Sequence, residues 1–367
     1  MPPSDINLPQ SDIRDDLRDR QPHTVGFLLL PDFSLLSYAC AIEPLRAANR
    51  LSGHSLYAWR HIAVDGTACS ASNGVEVRAD HDIDDEFKVD TLFVCAGGNP
   101  ARFRNRRVSR WLRSLARHGV RIGGVSGGPY VLARAGLLDG RRCTIHWEHF
   151  PAFVEEFPDI HATRSLFVID RDRLTCSGGT SALDMLHALI EQDHGHELAA
   201  AVSDWFLQTE VRAGSGPQRM TLRERFNVTN ERLLRALECM ESHVQEPASR
   251  GELARRAGVS VRQLERLFAD HLGSTMRAHY LRTRLERARI LLRQTAMPVV
   301  AVAIETGFAT PSHFSRAYRR AFGCSPRQDR GAPPAMTESP NLIPTRRMGR
   351  PVRPARPYET ARRQSGS

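Results

Sequence analysis

Residues Arg250–Asp270, RGELARRAGVSVRQLERLFAD, decide how the C-terminal third of the chain is read. A short helix ends at Ala257-Gly258-Val259, and a second starts with Ser260 as its N-cap. Gly258 suits the positive φ of a tight turn between helices. Leu253, Ala254, Val259, Leu264, Leu267 and Phe268 then close a small core. That phase leaves Val261, Arg262, Gln263, Glu265 and Arg266 facing outward.

The pattern returns downstream. Val299–Thr306 reads as a short helix, Gly307-Phe308 as a turn, and Thr310 as a cap with Pro311 at the first helical position. In SHFSRAYRRAF (Ser312–Phe322) the residues Phe314, Ala317, Tyr318 and Phe322 face a core, and Ser312, His313, Ser315, Arg316 and Arg319 face out. Met276–Arg293 is an arginine-studded helix between the two units. Two helix-turn-helix units on one rigid helix suit adjacent major-groove segments, roughly 34 Å apart. The expected DNA contacts are Arg262, Gln263 and Arg266 in the first unit, and Ser312, His313, Ser315, Arg316 and Arg319 in the second. Arginine fits guanine and phosphate, and glutamine fits adenine.

Charge supports the same partner, double-stranded DNA. Residues 1–230 carry 26 basic and 29 acidic side chains, residues 231–330 carry 18 and 10, and residues 331–367 carry 7 and 2. Only the back of the chain is thus suited to a polyanion. Lys88 is the sole lysine; GC-rich codon usage explains arginine over lysine, but not this asymmetry. With 367 residues, two domains are expected. The seven cysteines are scattered and never spaced as CxxC, which fits reduced thiols rather than a disulfide framework or zinc site. No apolar run approaches a membrane span, and Met1–Gln21 lacks an apolar signal core, so a cytoplasmic location is expected.

From His23 onward, short apolar runs alternate with amphipathic stretches. Val25–Leu30, His61–Val64, Val75–Val77, Thr91–Cys95, Val120–Val125, Cys143–His146, Leu166–Ile169 and Leu174–Cys176 read as strands. Leu35–Asn49, Val108–His118, Pro129–Ala135 and Ser181–Asp193 read as helices, the first with Leu35, Leu36, Ala39, Ile42, Glu43 and Leu45 on one face. This alternation implies a mostly parallel sheet covered on both faces. The expected organisation is a disordered 1–22, an α/β ligand-sensing domain over 23–211, a linker over 212–229 whose RAGSGPQR stretch (212–219) is flexible by composition, an all-α DNA-binding domain over 230–330, and a disordered basic tail over 331–367.

Val120–Leu138, VRIGGVSGGPYVLARAGLL, has the strand, sharp turn and helix of a nucleophile elbow, with Ser126 at the tip. His146, on the next strand, points toward the same crevice or packs as a core histidine. Catalysis would need a base oriented by a third group, and no convincing third member presents itself, so a binding or structural role is expected for Ser126. The alternative is an amidase- or peptidase-like enzyme with Ser126 as nucleophile. Gly127 and the helix start after it offer N–H groups for a carboxylate. Glu43 meets a cation or forms a salt bridge; Trp147, Tyr130 and Phe33 (with Tyr38) offer aromatic faces for a quaternary ammonium group or plain packing. Asn99, after Gly97-Gly98, is a further crevice candidate. His194 and His196 lack metal-site spacing, so neither metal nor cofactor is expected.

ELARRAGVSVRQLERLF (252–268), LRTRLERARILL (281–292) and VAIETGFATPSHFSRAYRRAFGCSP (302–326) resemble the AraC/XylS regulators. The resemblance implies promoter binding, usually as a homodimer, and a contact with RNA polymerase. VGFLLLPDFSLLSYACAIEPLRAAN (25–49), SGGPYVLARAGLLDGRRCTIHWEHFPAF (126–153) and TCSGGTSALDMLHALI (175–190) resemble the DJ-1/PfpI superfamily, related to class I glutamine amidotransferases. That implies a flavodoxin-like α/β fold. Ser126 stands where the hydrolytic relatives have cysteine. The fuller pattern resembles regulators of amine and amino-acid catabolism. It implies a small-molecule effector: glycine betaine or dimethylglycine from choline catabolism first, otherwise carnitine or arginine.

Overall fold

The structure is a computed structural model and describes residues 21–295 and 297–331. The disorder expected for 1–20 and 332–367 lies outside the described residues. The first unit contains β1 (His23–Leu29), α1 (Leu35–Ser52), β2 (Tyr57–Ala63), β3 (Ala68–Ser70), β4 (Glu76–Arg78), β5 (His81–Asp82), β6 (Thr91–Ala96), α2 (Arg106–Arg117), β7 (Arg121–Ser126), α3 (Gly128–Arg134), β8 (Arg142–Thr144), α4 (Phe150–Glu156), β9 (His161–Thr163), β10 (Phe167–Asp170), β11 (Arg173–Cys176), α5 (Ser181–His194) and α6 (His196–Trp205). The second, all-helical among the described residues, contains α7 (Leu222–Phe226), α8 (Glu231–Ser242), α9 (Arg250–Ala257), α10 (Val261–Leu272), α11 (Met276–Gln294), α12 (Val299–Glu305), α13 (Pro311–Phe322) and α14 (Pro326–Gly331).

Seven strands form one sheet in the order β10-β11-β7-β6-β1-β2-β5, parallel except where β10 runs against β11. The central strands read as unbroken apolar runs because both their faces are covered; every residue of β6 is buried. Helices α1, α5 and α6 pack one face, and α2, α3 and α4 the other. This is the expected flavodoxin-like α/β fold. Short elements at β3, β5, β9 and α4 carried too little periodicity to be read from sequence.

Two expectations are corrected. The buried face of α1 is Ser37, Tyr38, Ala41, Pro44, Leu45, Ala47 and Ala48, whereas Leu36 is 57% exposed. The helix packs against both the sheet and α5, so small residues fill much of its contact face beside Tyr38 and the expected Leu45. The 212–219 stretch is not a free linker. Asp184, fully buried, holds the Arg212 guanidinium at 2.5 and 3.0 Å, and Gly214 accepts the Leu166 N–H at 2.7 Å. Gln218 Nε2 donates to Thr144 Oγ1, Ile145 O and Ser165 O. A buried carboxylate demands a cation, and that demand overrides the flexibility of Gly and Ser.

At the elbow, Ser126 sits at φ 60°, a region costly for a residue with a Cβ. The turn is held by the Gly127 N–H to Ala96 O (3.0 Å) and the His146 N–H to Ser126 O (3.3 Å). A Cβ on Gly128 would lie 2.0 Å from the Val94 carbonyl oxygen, so α3 reaches β6 only because residue 128 has none. Gly128→Ala should therefore destabilise the fold by about 3 kcal/mol or more. Gly251→Ala in α9, where nothing lies within 4 Å, should instead stabilise by about 0.5–1 kcal/mol. Denaturant melts of the two variants check the contrast.

Candidate nucleic-acid interface and ligand crevice

Both helix-turn-helix units are built by local chemistry. Ser260 caps α10 by accepting the Gln263 N–H, and Gln263 Oε1 returns to the Ser260 N–H at 3.0 Å. Thr310 caps α13 by accepting the His313 N–H at 3.2 Å, with Pro311 in the first turn. The turn glycines, Gly258 and Gly307, sit at φ 68° and 73°. Leu253, Leu264 and Phe268 form one core; Val302, Phe314 and Tyr318 anchor the other.

Arg262, Gln263, Arg266, Ser312, His313, Arg316 and Arg319 are exposed, and Ser315 is half-buried. The four arginines have no acidic partner among the described residues. Their charge is available to an external anion. Gln263 is less free than expected, because its carbonyl is engaged in the cap. His313 rests its ring against Phe308 at 5.5 Å. Glu265, expected outward, pairs with Arg250 at 2.9 Å and accepts the Met276 N–H, tying α10 to α9 and α11. Three arginines of α11 are structural. Arg284 donates to the Thr306 and Gly307 carbonyls and lies 4.3 Å from the Phe308 ring centre. Arg289 and Arg293 pair with Asp329.

The carboxyl ends of β1, β6, β7 and β11 are where an open α/β sheet of this kind places its ligand crevice. Ser126 lies there, nearly buried, against Gly178. Ser37 Oγ accepts the Gly179 N–H at 2.7 Å and donates to Ser34 Oγ. The repeated Ser-Gly-Gly of residues 126–128 and 177–179 was the signal for this second turn. His146 joins Ser126 through its backbone. Burial and the neighbouring His149 push the His146 imidazole down to about 3, and its Nδ1 accepts the Glu148 N–H. No hydrogen bond links Ser126 Oγ to His146 among the described residues. The elbow also offers fewer donors than expected, since the Gly127 N–H serves Ala96 and Pro129 has none.

The aromatic candidates do not converge. Phe33 is fully buried beside Tyr38, whose hydroxyl bonds His61 at 2.6 Å. Tyr130 packs with Phe153 and Phe157 and donates to Glu156 at 2.7 Å. Trp147 stays near the crevice, but the Arg219 guanidinium lies 4.5 Å from its ring centre. Glu43 pairs with Arg46 on the outer side of α1 at 2.6 Å and does not face the crevice. Asn99 stands at the rim and reaches Arg293 of α11. Arg219, His149, Gln294 and Arg293 were not foreseen, because their partners lie far away in sequence.

Residues 253–332 match the helix-turn-helix domain family, and residues 24–192 match the DJ-1/PfpI family. The chain is 46% identical to the HTH-type transcriptional regulator CdhR of Pseudomonas aeruginosa, covering 84% of this chain and 91% of that one. It is 43% identical to GbdR of the same species (86% of each chain) and 45% identical to GlxA of Rhizobium meliloti (84% and 95%). The chain belongs to the AraC-type helix-turn-helix transcription regulators that carry a DJ-1/PfpI domain. The chain is thus a DNA-binding regulator, and its relatives are named as transcriptional regulators. No helix of the described residues is long and apolar enough to cross a membrane.

Arg262→Ala and Arg316→Ala should each weaken DNA binding by about 1–3 kcal/mol, or roughly 5- to 150-fold. Fluorescence anisotropy on DNA selected from a random pool measures this; unchanged affinity in both would reject the assigned reading faces. Arg284→Ala should lower thermal stability instead, because it uncaps the Thr306 and Gly307 carbonyls.

Proposed function

We propose that the regulator is an effector-gated activator of a catabolic operon, working in the cytoplasm as a homodimer and contacting RNA polymerase. The observation that carries this reading is the pair of exposed helices, α10 and α13, each with partnerless arginines and both packed on α11. Such a surface fits two successive major-groove segments. The proposed contacts are Arg262, Arg266, Ser312, Ser315, Arg316 and Arg319, with Gln263 and His313 beside them.

The proposed effector is a small nitrogenous zwitterion: glycine betaine or dimethylglycine first, then carnitine or arginine. The resemblance of residues 25–49, 126–153 and 175–190 to regulators of amine catabolism supports this class. Ser126, Gly127, His146, Trp147 and Asn99 are the proposed lining. Glu43, Phe33 and Tyr130 are dropped because they lie on the outer side of α1 or in packed cores. The cation on Trp147 is the regulator's own Arg219, so an effector ammonium competes with it, while an effector carboxylate pairs with it.

Calorimetric titration of the full chain with all four compounds tests the effector. Saturable binding of one, weakened at least tenfold (about 1.4 kcal/mol) by Trp147→Ala, is the expected result. Binding of none by the folded protein removes the amine class and leaves the DNA-binding assignment intact.

A further inference from the structure

The two units meet at the rim of the crevice. The Asn99 side-chain amide donates to the Arg293 carbonyl in the last turn of α11. A carbonyl only accepts, so this bond fixes the amide with Oδ1 turned away, and that oxygen is buried without a partner among the described residues. Alongside, His149 Nδ1–H donates to Gln294 Oε1 at 3.0 Å, and both residues are about 5% exposed. Burial pushes the His149 imidazole down to about 4, so it stays neutral and a single N–H makes this contact. Arg102 adds a bond to the Arg330 carbonyl at 2.5 Å.

The bonds continue inside the DNA-reading unit. Arg293 donates from Nε and Nη2 to Asp329 Oδ1 at 2.8 and 2.6 Å. Asp329 is 2% exposed, and its Oδ2 accepts from Arg289 Nε at 3.0 Å and from the Tyr318 hydroxyl at 2.5 Å. Tyr318 is fully buried in the middle of α13, between the outward Arg316 and Arg319. Three steps thus lead from the crevice rim to the second recognition helix: Asn99 to Arg293, Arg293 to Asp329, Asp329 to Tyr318. Removing any member leaves a buried polar group unpaired, so the path has few intermediate arrangements.

We propose that this path couples the crevice to the second reader: Asn99 and His149 are positioning residues that set the last turn of α11, and through Asp329 and Tyr318 they set the seating of α13. The inference rests on the effector-gated reading above and names its route. An effector shifts the reader only by contacting the two arrangements differently. Asn99 meets that condition because its nitrogen is on α11 while its buried oxygen has no partner among the described residues, so a ligand donor that reaches it pairs a group left unsatisfied without it. The path ends at α13 and does not touch α10, so coupling is confined to the second unit.

Two arms on the full chain test it. Without added ligand, Asn99→Ala should speed backbone hydrogen exchange in α13 and the last turn of α11 at least threefold and leave α10 unchanged. Gln294→Ala serves if Asn99→Ala does not fold. With glycine betaine, Tyr318→Phe should bring the ratio of DNA affinities with and without ligand to below twofold, while ligand binding by calorimetry is retained. Equal changes in α10 and α13, no change in either, or a wild-type ratio in Tyr318→Phe overturns the path. If glycine betaine leaves wild-type DNA affinity unchanged, the effector reading fails on its own, and the exchange arm still decides the path.

Discussion

Helix α11 is buried in two cores at once, and the DNA-reading half of the protein depends on it. Met276 and Tyr280 close the first core with Leu253, Leu264 and Phe268; Leu285, Ala288, Leu291 and Leu292 close the second with Val302, Phe314 and Tyr318. At about 1.5 Å per residue, 19 residues hold these cores apart as one rod. A kink or slip in α11 would strip contacts from both cores, each large side chain contributing about 1.5–3 kcal/mol. The spacing of α10 and α13 is therefore a property of folding, not of DNA.

The same helix explains how a chain so rich in arginine sorts its charges. Position relative to carbonyls and carboxylates decides the role. Arg284, Arg289 and Arg293 face backbone oxygens or Asp329 and stabilise the fold. Arg262, Arg266, Arg316 and Arg319 sit on the outer faces of α10 and α13, where no acid reaches them among the described residues. Net charge alone could not separate these groups. In the α/β unit, Arg212 and Arg219 do the structural work, strapping the chain across the sheet and capping Trp147 on its way to the second unit.

What was legible in the sequence was local. Ser260 with Gly258, and Thr310 with Pro311 and Gly307, announce their turns because caps and positive φ are satisfied within a few residues. The apolar runs of β1, β6 and β7 announce a covered parallel sheet for the same reason. Long-range partners were not legible. The face of α1 was read only in part: Leu45 is buried as expected, but Leu36 is exposed, Glu43 pairs with Arg46, and small residues fill much of the buried face. Trp147 looked like an open aromatic face until Arg219 arrived from beyond the strap, and nothing local to Asn99 announced that its amide also reaches α11. The sequence carries each of these residues but not the distances that join them.

The central claim is that one rigid helix fixes two readers on one face of DNA. Hydroxyl-radical footprinting of the full chain on DNA selected from a random pool tests it most directly. Two protected segments per protomer, one helical turn (roughly 34 Å) apart on the same face, are predicted. A single protected segment, or two on opposite faces, would contradict the account.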